Sequence, residues 1–269
     1  MPAELLIPGM ILGGFALLSS TGLLIASKKF HVDEDPRIEL ITNLLPGANC
    51  GGCGFAGCTN YAENVVTQMK IDSPCPVAES EIMKEIGKIL GLDVSVGTKQ
   101  VASLMCNGTN HNSPSVMDYK GIQDCWAMSL VADSSKSCVF ACMGLGSCVR
   151  ACPFGAMRIE EGIVVIDDQV CSGCGICIDS CPKHLLHMRP VSKNITVTCS
   201  NTDKGADAKR ACETACIGCQ KCVKVCEHEA ITVENFLAKI NYENCDLCGK
   251  CVEACPTDSI EIRRLYADA

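Results

Sequence analysis

"CSGCGICIDSCP" (171–182) and, further on, "CDLCGKCVEACP" (245–256) share the pattern C-x2-C-x2-C-x3-C-P. Three thiols two residues apart let one tight loop wrap three corners of an inorganic cube, with backbone N–H groups turned toward its sulfides. This is the run that holds [4Fe–4S] clusters in two-cluster ferredoxins, where the fourth Cys ligates the neighbouring cluster. Gly175 and Gly249 allow the backbone a close approach, and Pro182 and Pro256 end each loop where the chain turns into its next element. A fourth corner filled from a partner run forces the clusters of a pair to lie close together.

Partner runs are present. In the C-terminal part, "CIGCQKCVKVCE" supplies Cys216, Cys219, Cys222 and Cys226, with Glu227 in the place of the usual Pro. Upstream, "CVFACMGLGSCVRACP" keeps Cys142, Cys148 and Cys152 in register but has Leu145 where the other copy has Cys219. Cys138, four residues before Cys142, is the expected substitute. One constant shift along the chain carries Cys171, Cys174, Cys177 and Cys181 onto Cys245, Cys248, Cys251 and Cys255. The same shift superimposes Cys125, Cys138, Cys142, Cys148 and Cys152 on Cys199, Cys212, Cys216, Cys222 and Cys226. The chain therefore contains an internal duplication. Within each copy a segment of alternating apolar residues around a short turn (156–167 and 230–241) predicts a hairpin between the two cysteine groups.

Four clusters follow from this register. Cys138, Cys142, Cys148 and Cys181 are expected to hold the first, and Cys171, Cys174, Cys177 and Cys152 the second. Cys216, Cys219, Cys222 and Cys255 are expected to hold the third, and Cys245, Cys248, Cys251 and Cys226 the fourth. A zinc site takes four ligands in two separated pairs, which triplets of C-x2-C-x2-C do not supply.

A further set stands apart. "CGGCGFAGC" (50–58) with Cys75 gives C-x2-C-x4-C-x16-C, namely Cys50, Cys53, Cys58 and Cys75. Four ligands make one self-contained cluster, and the interspersed glycines suit a backbone wrapped around a bulky core. Zinc competes more strongly here, because the set lacks a tandem partner. Of 24 cysteines, Cys106, Cys125, Cys199 and Cys212 then remain. They either converge on a sixth cluster between the copies or are buried thiols acting as small apolar residues.

Composition agrees with a metal-held fold. Six Phe, four Tyr and one Trp in 269 residues are too few for a large aromatic core. Small domains short of core use disulfides or metals instead, and the compartment decides between them. The stretch from Leu5 to Ala26 carries no charge and is long enough to span a bilayer as a helix. No basic residue precedes it and no A-x-A site follows, unlike a cleaved signal peptide. Lys28 and Lys29 directly after it place the rest of the chain in the cytoplasm, where dense thiols mean metal. The net charge of −8 makes nucleic acid an unexpected partner.

The expected organisation is a transmembrane anchor (1–27), a linker (28–35), a small helical four-cysteine domain (36–92) and a connecting region (93–118). Two ferredoxin-like repeats follow (119–192 and 193–269), giving an α+β fold overall. No other catalytic set is visible. "MGLGS" (143–147) is a cluster loop, not a dinucleotide site, and Glu160-Glu161 reads as a solvated turn. His31, His111, His184, His187 and His228 read as surface or packing residues, although His184 and His187 lie close enough past a cluster to tune it.

"DPRIELITNLLPGANCGGCGFAGCTNYAE" (35–63), after an N-terminal anchor and before tandem ferredoxin repeats, resembles the B subunit of the Rnf complex. That complex is the membrane-bound, ion-translocating ferredoxin:NAD+ oxidoreductase. The four-cysteine motif alone is similar in corrinoid iron–sulfur proteins; the anchor and two modules separate the two. Two modules with extra thiols exceed the simplest form of the family. The resemblance implies an electron relay at the cell (inner) membrane, fed by soluble ferredoxin in the cytoplasm and passing electrons to other subunits of the complex. The chain would carry electrons only, since its single span has no intramembrane charge with which to move ions. A polyferredoxin component of another membrane enzyme, such as a hydrogenase, and a structural zinc scaffold are the alternatives. For ferredoxin docking, "DKGADAKR" (203–210) is the best basic candidate.

Overall fold

The computed structural model describes residues 3–29, 35–94 and 97–263, without the side chains of residues 3–9 and 11. Helix α1 (Ala3–Lys29) contains the expected span. Its described large apolar side chains, Phe15, Leu18 and Leu23 among them, are 64–75% exposed. Among the described residues, no helix is long and apolar enough to cross a membrane. The structure thus leaves the expected span unconfirmed, with several of its side chains outside the description. Most of the expected linker, residues 30–34, also lies outside it.

The four-cysteine domain is built from α2 (Pro36–Leu44), α3 (Cys58–Gln68) and α4 (Ser80–Leu90). Pro36 opens α2, where its missing N–H costs nothing, and the Asp35 carboxylate caps it by accepting from Arg37 N–H at 2.9 Å. Tyr61, Ala62, Val65 and Val66 of α3 and Met83, Ile86 and Leu90 of α4 recur at helical spacing. They meet Ile41 and Leu45 in a closed core.

The remainder is two pseudo-equivalent modules. The first comprises β1 (Gln100–Leu104), α5 (Cys125–Ser129), α6 (Ser147–Ala151), β2 (Met157–Glu160), β3 (Ile163–Ile166), α7 (Ile176–Asp179) and β4 (Leu186–Pro190). The second comprises β5 (Ile195–Val197), α8 (Gly205–Ala211), α9 (Lys221–Lys224), β6 (Ile231–Glu234), β7 (Leu237–Ile240), α10 (Lys250–Glu253) and β8 (Ile260–Ile262). In each, a central hairpin (β2–β3 or β6–β7) is accompanied by a second antiparallel pair joining the module's ends (β1–β4 or β5–β8). The hairpin turns Glu161-Gly162 and Asn235-Phe236 hold positive φ at both central residues, the conformation that matches strand twist in a two-residue turn.

These terminal pairs correct the expected boundaries. β1 falls in the stretch read as a connecting region, yet Leu104 pairs with Leu186 as Val197 pairs with Ile260. The first module therefore begins at β1, before residue 119. One continuous core runs through both modules, and buried cysteines such as Cys106, Cys148, Cys199 and Cys251 occupy it beside Val164, Leu186 and Ile260. Arg189, fully buried, pairs with Asp168 inside the first module. Arg263, past the end of β8, reaches across to that module, its Nη2 donating to Leu104 C=O at 2.8 Å.

Candidate metal centres

Each module carries two cavities whose walls hold four cysteines. In the second module, Cys216, Cys219, Cys222 and Cys255 line one, and Cys226, Cys245, Cys248 and Cys251 the other. In the first, Cys152, Cys171, Cys174 and Cys177 line one. The last cavity carries Cys142, Cys148 and Cys181 as expected, with Cys125 as the fourth thiol. Cys138 is not among its lining residues.

The loops around these cavities share one backbone. Gly146, Gly175, Gln220 and Gly249 each adopt φ between 60° and 81° directly before a one-turn helix. This left-handed step, which glycine takes without strain, turns the following N–H groups inward. Other donors reach the sulfurs directly: Ala102 N–H points at Cys171 Sγ (3.5 Å) and Ala230 N–H at Cys226 Sγ (3.3 Å). Burial pushes the thiols of Cys148 and Cys177 up to about 12 and those of Cys142, Cys222 and Cys251 to about 11, neighbouring thiolates adding to it. Such groups ionise only with a cation to hold the charge, so metal binding must release their protons.

Among the described residues, no three His, Cys, Asp or Glu side chains are drawn together tightly enough for a single metal ion. The thiols instead line the walls of shared cavities, four to each, with all 24 unpaired by disulfides. Soft thiolates around an apolar space, reached by N–H donors, form the donor set of an iron–sulfur cluster.

In the N-terminal domain, Cys58 opens α3 with its N–H donating to Asn49 Oδ1 (2.9 Å), and Cys53, Cys58 and Cys75 pack against the helical core. Cys50 and Cys53 face Cys75 electrostatically, while Val77 and Ala78 N–H groups bond to it. This domain touches the first module: a Cβ on Gly52 would lie 2.7 Å from the carbonyl oxygen of Cys174, so only glycine permits the approach.

The remaining cysteines divide differently from the expected grouping of Cys106, Cys125, Cys199 and Cys212. Cys125 leaves that group for the cavity of Cys142, and Cys138 joins it. The physical reason is an insertion. Cys106 receives the N–H of Cys142, 36 residues on, as Cys199 receives that of Cys216, 17 residues on. The true counterpart of Cys199 is Cys106, and the extra chain between β1 and the cluster loop carries Cys125. The match of Cys125 to Cys199 under the shift that relates the other cysteines is a coincidence of spacing. The two cysteines share a strand before them, Cys106 lying two residues past Leu104 and Cys199 two past Val197, a likeness that only the strand pairing reveals.

Residues 137–185, 170–231 and 215–260 match families described as 4Fe-4S dicluster domains, and residues 45–77 a family described as an Fe-S cluster. The B subunit of the ion-translocating oxidoreductase complex of Methanosarcina acetivorans is 43% identical over 94% of this chain and 96% of its own. The chain belongs to the Rnf B-subunit family. The B subunit of the Na+-translocating ferredoxin:NAD+ oxidoreductase complex of Acetobacterium woodii is 42% identical over 90% of the chain and 73% of its own length. The proton-translocating counterpart from Clostridium ljungdahlii is 37% identical over 83% and 80%. As an Rnf B subunit with repeated dicluster domains, the chain binds multiple [4Fe–4S] clusters.

Proposed function

We propose that the chain is the iron–sulfur electron relay of a membrane-bound, ion-translocating ferredoxin:NAD+ oxidoreductase, taking electrons from soluble ferredoxin and passing them to other subunits. Five clusters are assigned: Cys50, Cys53, Cys58 and Cys75; Cys125, Cys142, Cys148 and Cys181; Cys152, Cys171, Cys174 and Cys177; Cys216, Cys219, Cys222 and Cys255; Cys226, Cys245, Cys248 and Cys251. The observation that carries the reading is adjacency. Within each module the two cavities exchange a thiol, and Gly52 sets the N-terminal domain against Cys174. A row of such sites conducts single electrons and needs no acid–base machinery.

Exposure supports one direction. Among the described residues only Cys219 and Cys248, both in the second module, are exposed thiols. This favours entry there, from ferredoxin, and exit through the four-cysteine domain that follows α1 in sequence. The stretch 203–210 is a poor docking face, because Arg210 is engaged by Asp207 and Lys209 Nζ donates to Glu213 C=O at 2.7 Å. Lys221 and Lys224, beside Cys219 on α9, are better placed. Helix α1, about 40 Å long at 1.5 Å per residue, anchors the chain in the cell membrane with the clusters on the cytoplasmic side. Ion movement belongs to other subunits; relatives of similar likeness carry the names of different ions.

The test mixes anaerobically purified, oxidised chain with a sub-stoichiometric amount of reduced ferredoxin and follows visible absorption. Bleaching of the iron–sulfur bands within the mixing experiment is expected. A colourless protein containing zinc, or a brown one that ferredoxin does not reduce, overturns the reading.

A further inference from the structure

We propose that Cys106, Cys138, Cys199 and Cys212 hold a sixth [4Fe–4S] cluster at the junction of the two modules, and that this cluster is the electrical link between them. The inference rests on the relay reading above and extends it to a site where the two halves of the chain meet.

The four thiols are buried, at 5–7% exposure, and hydrogen bonds tie their surroundings into a closed ring. Asn107 N–H donates to Thr198 C=O (2.9 Å), joining the neighbourhood of Cys106 to that of Cys199. Thr214 Oγ1 donates to Asn107 C=O (3.2 Å), joining Cys212 to Cys106. The Ser113 hydroxyl accepts from Cys138 N–H (3.1 Å) and donates to Ala211 C=O (3.0 Å), joining Cys138 to Cys212. Asn201 closes the ring, its N–H on Cys199 Sγ (3.4 Å) and its Nδ2 on Cys138 Sγ (3.5 Å). Cys138 also lies within electrostatic range of each of the other three.

Two features separate this from four inert thiols. First, donors converge on the sulfurs as they do at the other sites. Cys106 Sγ receives Gly108 N–H and Cys142 N–H, both at 3.3 Å, and Cys199 Sγ receives Asn201 N–H (3.4 Å) and Cys216 N–H (3.3 Å). Neutral thiols accept such bonds weakly; ligating thiolates and their sulfides accept them well. Second, Lys136 is 4% exposed beside them, its ammonium donating to Gly108 and Gly162 carbonyls at 2.6 and 2.7 Å. The charges it faces are those of Cys142, Cys106, Cys212 and Cys138. A buried cation is costly without a compensating anion, and a cluster with four thiolates supplies one.

The position gives the site its role. Cys142 and Cys216, whose N–H groups touch Cys106 and Cys199, are themselves ligands of the adjacent cluster in the first and second module. Electrons crossing from one module to the other thus meet this site midway, one peptide group from a ligand on either side.

Iron and acid-labile sulfide in the full, anaerobically reconstituted chain should both approach about 24 per chain, six four-iron clusters. An iron content of about 20 would leave the four thiols free and overturn the proposal while keeping the relay. Zinc in place of iron would remove the relay reading with it. Paired substitutions test the ligand set. Cys106→Ala with Cys138→Ala should lose about four irons if both serve one cluster, and about eight if Cys138 belongs with Cys142 as the register of the cysteine runs suggests. Rapid-freeze electron paramagnetic resonance of the same double variant after reduction by ferredoxin should show the second module reduced and the four-cysteine cluster reduced markedly more slowly. Unchanged arrival there would mean that no relay passes through the junction.

Discussion

Cys255 and Cys181 occupy equivalent places but have different neighbours. Ser259 and Thr257 place hydroxyls 3.3 and 3.8 Å from Cys255 Sγ, whereas the equivalent positions in the first module are Leu185 and Lys183. Burial pushes the Cys255 thiol up, but the hydrogen bonds from Ser259 and Thr257 outweigh it and the thiol is lowered. Hydrogen bonds to cluster sulfurs favour the reduced, more negative state. Ser259→Ala should therefore lower the potential of the cluster proposed at Cys216, Cys219, Cys222 and Cys255 and leave the others in place, as read by a redox titration with resonance detection. An unchanged potential would count against that cluster's placement at Cys255. His187 shows the opposite kind of neighbourhood. Burial, then Arg263 and Arg189, bring its pKa down from 6.5 to about 4, so it is neutral at pH 7 and brings no charge to a cluster. Its neutral form is favoured by folding, so its contribution is present above about pH 6.5 and is lost as pH falls toward 4. Replacement by Phe should flatten the acid limb of the stability curve by up to about 3 kcal/mol. Denaturant unfolding at pH 7 and pH 4.5 would measure it; an equal pH dependence in both proteins would sink the assignment.

At the scale of elements, the helices of the four-cysteine domain and both hairpins were legible because period and turn chemistry are local. Met83, Ile86 and Leu90 announce a helix face, and two short apolar alternations flanking a turn announce a hairpin. β1 was not legible, because "QVASL" becomes a strand only by pairing with β4, at the far end of the module. The contact of Gly52 with Cys174 is likewise a meeting of elements that no local pattern encodes. Gly52→Val should retain every iron but move the four-cysteine domain off the first module, because the obstructing atoms are backbone and cannot rotate aside. The magnetic interaction between the two adjacent reduced clusters should weaken and electron arrival at the four-cysteine cluster should slow severalfold. Identical spectra and kinetics would show that the domains do not conduct through this face.

For the whole molecule, the proposed order of sites runs from the exposed thiols of the second module, through the junction, to the N-terminal four-cysteine domain. On the proposed reading α1 holds this conductor at the membrane. Removal of residues 1–29 should release the chain to the soluble fraction with its iron content unchanged; persistence in the membrane fraction would assign anchoring to other contacts. Ten of the 29 buried residues in the core of the two modules are cysteines, so much of that core is built around the sites themselves. Chelation of iron should consequently lower the unfolding temperature of the two modules together, as in other folds whose metal binding is coupled to folding.

The thiol chemistry is written in the order of residues. Spacing in the C-x2-C-x2-C-x3-C-P runs and in Cys50 to Cys75 follows from the size of the core that one loop must wrap, and loop geometry is a local property. The duplication is equally plain there and, with it, the expectation of paired clusters. Which distant thiol completes each set is settled only in the folded chain. Cys125 and Cys138 both lie upstream of the same loop, and nothing local distinguishes them. The insertion after β1 carries Cys125 to the cavity of Cys142, while the ring through Ser113 and Asn201 turns Cys138 to the junction. A ligand reached across a loop is chosen by where the chain returns in space, and that is set by strand pairing and hydrogen bonds between residues far apart in sequence.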